Sequence, residues 1–462
     1  MLTSSFLNYR IILSLAVSAL AGLALLALMP VFSKHPQMLL VLPMAGAFFL
    51  MLVVNPRWTF ILVFLTRPLL DIFLNLTRVS LGGQEIGIGA ILNLVIIVLA
   101  VFLFFYEGGF PRKNPVVKGW AFFLVVMLFA VIYSPYFGRA IRLYANYLSF
   151  FSMFLVPFLI IKRREDYVFW LKVFAWSFVL PVLYANFDLL SGGQFYADAG
   201  MRIKGTFSHP NILAFYLCLG ITYYFLLLKG RLFPVSREVR MGMVVLAVNM
   251  LILLLASKSR NAWIACFASF FIFGLLRDRK TLGMLFLMMP LLLFVPSVKD
   301  RVVTVFNGES AINYKGVNSF EWRLKMWKSS LPWVAKRPLQ GYGISSFLPM
   351  SAEFSVVGTN GAHNIYVETL FESGIIGLMS LLALLFKPLI LFLQYMFRSP
   401  HRQAVLWAIV AGYLISYIVI CSADNLSYYL VLNWYVWFFI GLMMVAKRYI
   451  EPAGPKDQPA PN

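Results

Sequence analysis

The chain has 462 residues, of which 61% are apolar and 12% charged, and its net charge is +21. That balance excludes an ordinary soluble domain, and apolar runs that are continuous rather than alternating exclude a transmembrane β-barrel. The basic charge is spread over many short segments instead of one soluble domain, which argues against nucleic-acid binding.

Apolar runs of about 16 to 22 residues recur from Ile11 to Val445, and a helix of that length crosses the hydrocarbon layer. They predict an all-α integral membrane protein of 12 to 14 transmembrane helices, roughly at 11–30, 38–54, 58–75, 86–105, 119–134, 144–161, 167–187, 211–228, 241–256, 262–276, 282–297, 364–391, 404–421 and 427–445. The run from Ile11 to Met29 shows no small-residue cleavage site and reads as a first anchor. Arg67 and Asp71 interrupt the third span, but at a spacing of four they can pair on one helix face. Cys218, Cys266 and Cys421 fall within apolar runs, so each reads as a small buried hydrophobe, with no disulfide or metal pattern.

The loops "KRRED" (162–166), "KGRLFPVSREVR" (229–240), "RDRK" (277–280), "RSPHR" (398–402) and "KR" (447–448) fall on one side. The positive-inside rule makes that side cytoplasmic and places both termini there. The expected organisation is a transmembrane bundle over 1–297, a large periplasmic loop over 298–362, C-terminal transmembrane helices over 363–448 and a disordered cytoplasmic tail over 449–462. Within the large loop, "SFEWRLKMWKSSLPWVAKRP" (319–338) reads as an amphipathic helix lying on the outer leaflet, its tryptophans at headgroup level.

Outer loops should be poor in Lys and Arg, yet here they are not. Arg139 and Arg142 follow the fifth span, Arg202 and Lys204 precede the eighth, and Lys258 and Arg260 join the ninth to the tenth. The large loop carries eight Lys/Arg against four Asp/Glu. Scattered solvated charge explains part of this; a ligand with several negative charges on the outer side explains more.

Three outer stretches concentrate the chemistry. In "MRIKGTFSHPNILAFYL" (201–217), Ser208 is placed to cap a helix whose first turn holds Pro210, leaving free N–H groups that favour an anion beside Arg202 and Lys204. His209 lies in the same stretch and joins that substrate-binding set. In "SKSRNAW" (257–263), Arg260 offers a planar fork that matches phosphate oxygens. In "GAHNIYVETLFESGIIGL" (361–378), His363 and Asn364 stand at a helix start, where the macrodipole disfavours an imidazolium and leaves the ring able to accept a proton. Glu368 and Glu372 follow at four-residue steps, and carboxylates in a membrane span are functional suspects. Taken singly, each stretch also reads as a capped helix, a topology determinant or a satisfied core acid. Together they supply anion-binding cations and one candidate base, without a metal cluster.

The stretches "RIKGTFSHPNILAFYL", "SKSRNAW", "RLKMWKSSLPWVAKRPLQGYGISSF" and "HNIYVETLFESGIIGL" occur in the order seen in the O-antigen ligase/polymerase family, the Wzy-C superfamily, which the chain resembles over roughly 198–380. The resemblance implies a GT-C-type helical fold and a metal-independent, inverting glycosyltransferase without cofactor. It works at the periplasmic face of the bacterial inner membrane. The implied donor is an oligosaccharide on undecaprenyl pyrophosphate, and the acceptor a second lipid-linked glycan (a polymerase) or lipid A core (a ligase). The implied roles are pyrophosphate binding for Arg202 and Arg260 and action at the acceptor hydroxyl for His363. Arg139 and Arg142 are assigned a second anionic subsite; Glu368, Glu372 and Arg323 are supporting residues. Expected partners are membrane lipids and a polysaccharide chain-length regulator. Spread-out basic loops favour a polymerase of O-antigen or exopolysaccharide repeats over the ligase. A transporter or flippase predicts inverted repeats, which are not found, and a peptidoglycan polymerase predicts an outer acidic catalytic residue.

Overall fold

The computed structural model describes residues 50–450 apart from 77, 82–83, 197–199, 293, 295–298 and 300–318. The expected span at 11–30, most of that at 38–54, and the tail beyond Ile450 lie outside the described residues. The chain divides into two compact units, Met1–Phe64 with Arg78–Ile86 and Leu65–Thr77 with Gly87–Asn462. In the first, Phe60 and Phe64 stack one helical turn apart, their ring centroids 5.5 Å from each other. The second unit holds α2 to α15, the last twelve residues of α1 and all of the candidate site.

The element order is α1 (Pro56–Leu76), the two short strands β1 (Arg78–Leu81) and β2 (Gln84–Gly87), then α2 (Ile88–Glu107), α3 (Pro115–Ile132), α4 (Phe137–Ile160), α5 (Arg164–Trp176) and α6 (Val179–Leu190). A hairpin of β3 (Gln194–Tyr196) and β4 (Gly200–Arg202) leads to α7 (Pro210–Gly230), α8 (Arg237–Ala256), α9 (Arg260–Arg277) and α10 (Arg279–Leu292). After the large loop's α11 (Ser319–Lys336) and α12 (Phe347–Phe354) come α13 (Ile365–Arg398), α14 (His401–Ile420), a 3₁₀ turn (Leu426–Tyr428) and α15 (Leu430–Ile450). Among the described residues eight segments are long and apolar enough to cross a membrane: α3, α4, α5 with α6, α7, α8, α13, α14 and α15. The expected spans at 58–75, 86–105, 262–276 and 282–297 fall on helices α1, α2, α9 and α10, which are not among those eight.

Helix ends follow local chemistry. Asn114 caps α3 by accepting from the Val116 amide, with Pro115 in the first turn; Ser236 caps α8 through the Val239 amide. The seventh expected span breaks into α5 and α6 because Pro181 has no N–H and its ring crowds the Ser177 carbonyl four residues back. That released carbonyl accepts from the Tyr216 hydroxyl at 2.9 Å. In lipid no water satisfies a freed backbone group, so a protein partner must.

α15 packs along α4, where Trp434 Nε1 donates to Ser149 Oγ at 2.8 Å, and α14 lies against α9 and α13. The basic loops gather at one end, where Lys229 pairs with Asp278 at 2.8 Å and Arg277 donates to the Met396 carbonyl. Arg67 and Asp71 pair as their spacing predicts, at 3.1 Å and buried. Asp71 also accepts from the Ser208 amide, which fastens α1 to the start of α7.

α13 is not continuous. Gly374 has φ 64° and ψ −166°, which separates a short half-helix beginning at Ile365 from a long one. The carbonyls released by the break, those of Phe371 and Glu372, accept from the amides of Tyr342 and Gly343, and the Ile375 amide donates to Pro338. The large loop therefore plugs into the gap. Its helix α11 departs from expectation. Instead of lying on lipid, it turns Trp322 and Met326 into a cluster with Tyr342, Phe347, Met350, Ala362 and Phe371. Trp327 Nε1 donates to the Ala362 carbonyl at 2.7 Å. Sequence periodicity revealed an apolar face but not what covers it, and here protein covers it.

Gly374→Ala tests the plug. A Cβ there would stand 2.2 Å from the Leu339 carbonyl oxygen at a φ that alanine rarely adopts. The expected result is a loss on the order of 3 kcal/mol, read as a marked fall in the melting temperature of the purified protein in detergent; an unchanged melting curve would refute the account.

Candidate functional site

His363 follows Ala362 and precedes the Asn364 cap of the half-helix. Asn364 Oδ1 accepts from the amides of Tyr366 at 2.9 Å and Val367 at 3.2 Å. The Ile365 amide donates to the Cys421 carbonyl, which sets the half-helix against the end of α14. His363 has φ 49°, a left-handed conformation unusual for a residue with a Cβ. Such strain persists only where surroundings impose it. Here the Ile365 amide and the Trp327 bond to Ala362 hold both flanks. The imidazole is half exposed, with the Trp322 ring against it edge-on at 5.8 Å.

Asp424, which sequence reading overlooked, lies behind that ring. Its Oδ1 is 3.7 Å from His363 Nδ1, within ion-pairing range and longer than an ordinary hydrogen bond. Oδ2 accepts from the Tyr429 hydroxyl at 2.9 Å and from Asn211 Nδ2 at 3.5 Å. Burial pushes the Asp424 carboxyl up, but the facing His363, the Tyr429 hydroxyl and the Arg323 guanidinium outweigh it and hold the group below its ordinary range. The carboxylate is therefore ionised at neutral pH. Asn261 Nδ2 donates to the neighbouring Ala423 carbonyl, tying this turn to the start of α9.

Three guanidinium groups meet this cluster. Arg202 is buried; its Nε donates to the Ser257 carbonyl at 2.8 Å and its Nη2 to Asn211 Oδ1 at 2.9 Å, and it stands over the Tyr196 ring. Ser257, Arg202, Asn211, Asp424 and His363 thus form one polar chain joining the three stretches singled out in the sequence. Arg260 occupies the first position of α9 and is partly exposed. Arg323, on α11, leaves its buried Nε without a protein partner. Burial lowers its pKa; Asp424 opposes this, and the neighbouring Arg260 charge adds to it. Arg260 and Arg323 repel each other, and the carboxylate that acts on Arg323, Asp424, is already engaged by Tyr429 and Asn211, so the cluster has room in its charge balance for a bound anion.

Other expected residues take different parts. His209, not Ser208, is the N-cap of α7: its Nδ1 accepts from the Asn211 amide, and Pro210 takes the first position. The imidazole nitrogen serves where a hydroxyl was expected because the backbone turns one residue later. Asn364 spends its side-chain oxygen as a cap. Lys204 acts through its amide, which donates to Asp188. Arg139 and Arg142 are exposed on the first turn of α4, where the Arg139 carbonyl accepts from Ser345 Oγ and Arg142 Nε donates to the Gly138 carbonyl. Glu368 orients neither His363 nor an arginine by hydrogen bond. It accepts from Asn425 Nδ2 and the Tyr428 hydroxyl, each at 2.5 Å, and so braces the segment that presents Asp424. Glu372 accepts from the Phe347 amide and caps α12. Among the described residues, no group of three His, Cys, Asp or Glu is arranged to hold a metal ion.

Asp424, Asn425, Tyr428 and Tyr429 did leave a signal. "CSADNLSYY" is a polar break with one acid between two long apolar runs, and an acid there is a functional suspect by the same logic that picked Glu368.

The fold defines a multi-pass α-helical membrane protein. Residues 242–382, just under a third of the chain, match the Wzy-C family model, described as O-antigen ligase. The match runs from α8 into α13. It includes Lys258, Arg260, Arg323, His363, Glu368 and Glu372, and leaves Arg202 and Asp424 outside. It supports transfer of a glycan at a membrane. No curated protein matches the chain.

Glu368→Ala removes the acceptor for two buried donors, at a cost of about 1–3 kcal/mol, whereas Glu368→Gln keeps one acceptor and should lose less. Equal melting temperatures for both variants and the parent would show that the brace carries no load.

Proposed function

We propose that the protein is a glycosyltransferase that takes a glycan from a polyprenyl pyrophosphate and joins it to an acceptor sugar, polymerising repeat units at the periplasmic face of the inner membrane. The observation that carries this reading is the surplus of guanidinium groups around one exposed histidine backed by a buried carboxylate. Arg260 and Arg323 supply the charge that a pyrophosphate leaving group needs, with Arg202 as a fixed buried cation behind them. One half of the orientation rule supports this side: the opposite end of the bundle carries the dense basic loops expected of the cytoplasm, while the outer side keeps cations that an anionic donor would use.

In this mechanism His363 takes the proton of the acceptor hydroxyl through its Nε2 as that oxygen attacks the anomeric carbon. The bond between that carbon and the pyrophosphate oxygen breaks, and the electron pair leaves with the polyprenyl pyrophosphate. Attack opposite the leaving group inverts the anomeric centre. Asp424, facing Nδ1, favours the tautomer that leaves Nε2 free and stabilises the imidazolium that forms. The proton is accepted by protein, the developing charge by arginine, and the step is written without a metal ion.

The break at Gly374 bears on the transporter alternative, which calls for discontinuous helices around a central substrate cavity. The carbonyls at this break are occupied by backbone amides of the large loop, so the break serves to seat that loop.

His363→Asn tolerates the left-handed backbone and removes the base; transfer should fall by about 10²–10⁴-fold with expression and melting temperature kept. Wild-type turnover in that variant would overturn the assignment. Arg260→Ala and Arg323→Ala should each raise the donor KM about tenfold or more, whereas Asp424→Asn should lower kcat with little change in donor KM. Purified protein given lipid-linked repeats alone should produce a ladder of lengths. Product that forms only after lipid A core is added would sink the polymerase in favour of the ligase.

A further inference from the structure

The β3–β4 hairpin has two chemically different faces. The strands pair antiparallel with Gln194 opposite Arg202, Phe195 opposite Met201 and Tyr196 opposite Gly200. Alternation along a strand sends neighbours to opposite sides, so Gln194, Tyr196 and Arg202 share one face and Phe195 and Met201 the other. On the first face the Arg202 guanidinium stands over the Tyr196 ring at 5.4 Å and continues through Asn211 to Asp424 and His363. On the second, Phe195 is 75% exposed and Met201 46% exposed, a directly opposed apolar pair that the described residues leave largely open.

That pair follows in the chain an exposed apolar face on a segment long enough to cross a membrane. α6 closes the membrane-length segment Arg164–Leu190, and its Leu180, Leu183, Phe187 and Leu190 are all exposed. Gly192 and Gly193, both with positive φ, then turn the chain into β3. A Cβ on Gly193 would stand 2.6 Å from the Arg202 carbonyl, so this glycine lets the two strands close at the root of the hairpin. The apolar strip from α6 therefore reaches the hairpin one residue short of the side chains that lead into the polar site. A two-stranded ribbon is a single layer thick, so hydrocarbon contact and anion contact are separated only by that layer.

We propose that this hairpin is a docking lip for the polyprenyl chain of the donor, which lies on Phe195 and Met201 while its pyrophosphate turns over the edge towards Arg202. The proposal rests on the donor being a polyprenyl pyrophosphate. Bulk phospholipid would cover the same apolar pair, but its single phosphodiester charge lies under a headgroup, whereas a lipid diphosphate brings two charges to the guanidinium side. A lipid diphosphate matches both faces at once: an apolar chain for Phe195 and Met201, and negative charge for a buried guanidinium behind them. The lip would select donors by chain length and leave the chemistry at His363 untouched.

The test uses the full chain in phospholipid nanodiscs. The double variant Phe195→Ser/Met201→Ser should keep its melting temperature, because both side chains are exposed. With a glycan on a long polyprenyl pyrophosphate, its KM should rise about tenfold at unchanged kcat; with the same glycan on a short, water-soluble prenyl pyrophosphate, KM should not change. An equal change for both donors, or none for the long one, overturns the proposal. A second arm does not depend on turnover. A photoreactive amino acid at position 195 is irradiated in nanodiscs containing polyprenyl diphosphate, and adducts are read by mass spectrometry. Polyprenyl adducts enriched over their share of the lipid support the lip, and phospholipid adducts in simple proportion overturn it. Polyprenyl enrichment without transfer from either donor would refute the proposed reaction and keep the lip.

Discussion

A carboxylate buried at the mouth of a membrane bundle must be matched by charge and hydrogen bonds, and at Asp424 the matching groups come from four separate segments. His363 arrives on the half-helix of α13, Asn211 on α7, Arg323 on α11, and Tyr429 from the turn before α15. Remove the carboxylate and the Arg260 and Arg323 charges face one another without it. The geometry of the site is therefore set by a charge-balance problem that no single element can solve. Asp424 also faces the histidine directly, with its Oδ1 3.7 Å from the ring's Nδ1.

The membrane adds a second constraint. Backbone groups in hydrocarbon need internal partners, so a helix can be broken only where protein fills the gap. At Gly374 the filler is the segment 338–343, whose amides meet the carbonyls of Phe371 and Glu372. The break gives the half-helix its own direction, and the filler brings α11 back over it, delivering Trp322 and Arg323 to His363. A soluble enzyme could leave such carbonyls to water. Here the same bonds that heal the helix also assemble the site. Glu368 works similarly one turn below, using a carboxylate to brace Asn425 and Tyr428.

Much of the candidate site was legible in the chain. Arg202, Arg260 and His363 stood out because each is a costly residue at the end of an apolar run, and the fold links Arg202 and His363 through Asn211 and Asp424. Arg67 and Asp71 were paired correctly from spacing alone. The roles within motifs were harder. Ser208 and His209 both suit a cap, and a one-residue difference in where the backbone turns decided between them. Asn364 and Glu368 looked like site residues, and the structure gives them the parts of a cap and a brace. Asp424 was missed because a lone acid in a short turn has no periodicity to mark it.

The sequence by itself determined the class: runs of apolar residues too long for a soluble core, basic loops biased to one side, and cations out of place on the other. These are local quantities, readable from one segment at a time. Only the tertiary structure decided that α11 covers protein instead of lipid, that Arg323 belongs beside Arg260, and that the histidine has a carboxylate behind it. The physical reason is the same in each case. An apolar face or a charge states what it needs, but many partners satisfy it equally well. Which partner it receives depends on distant chain segments, as with Asn211 and Asp424, which are 213 residues apart.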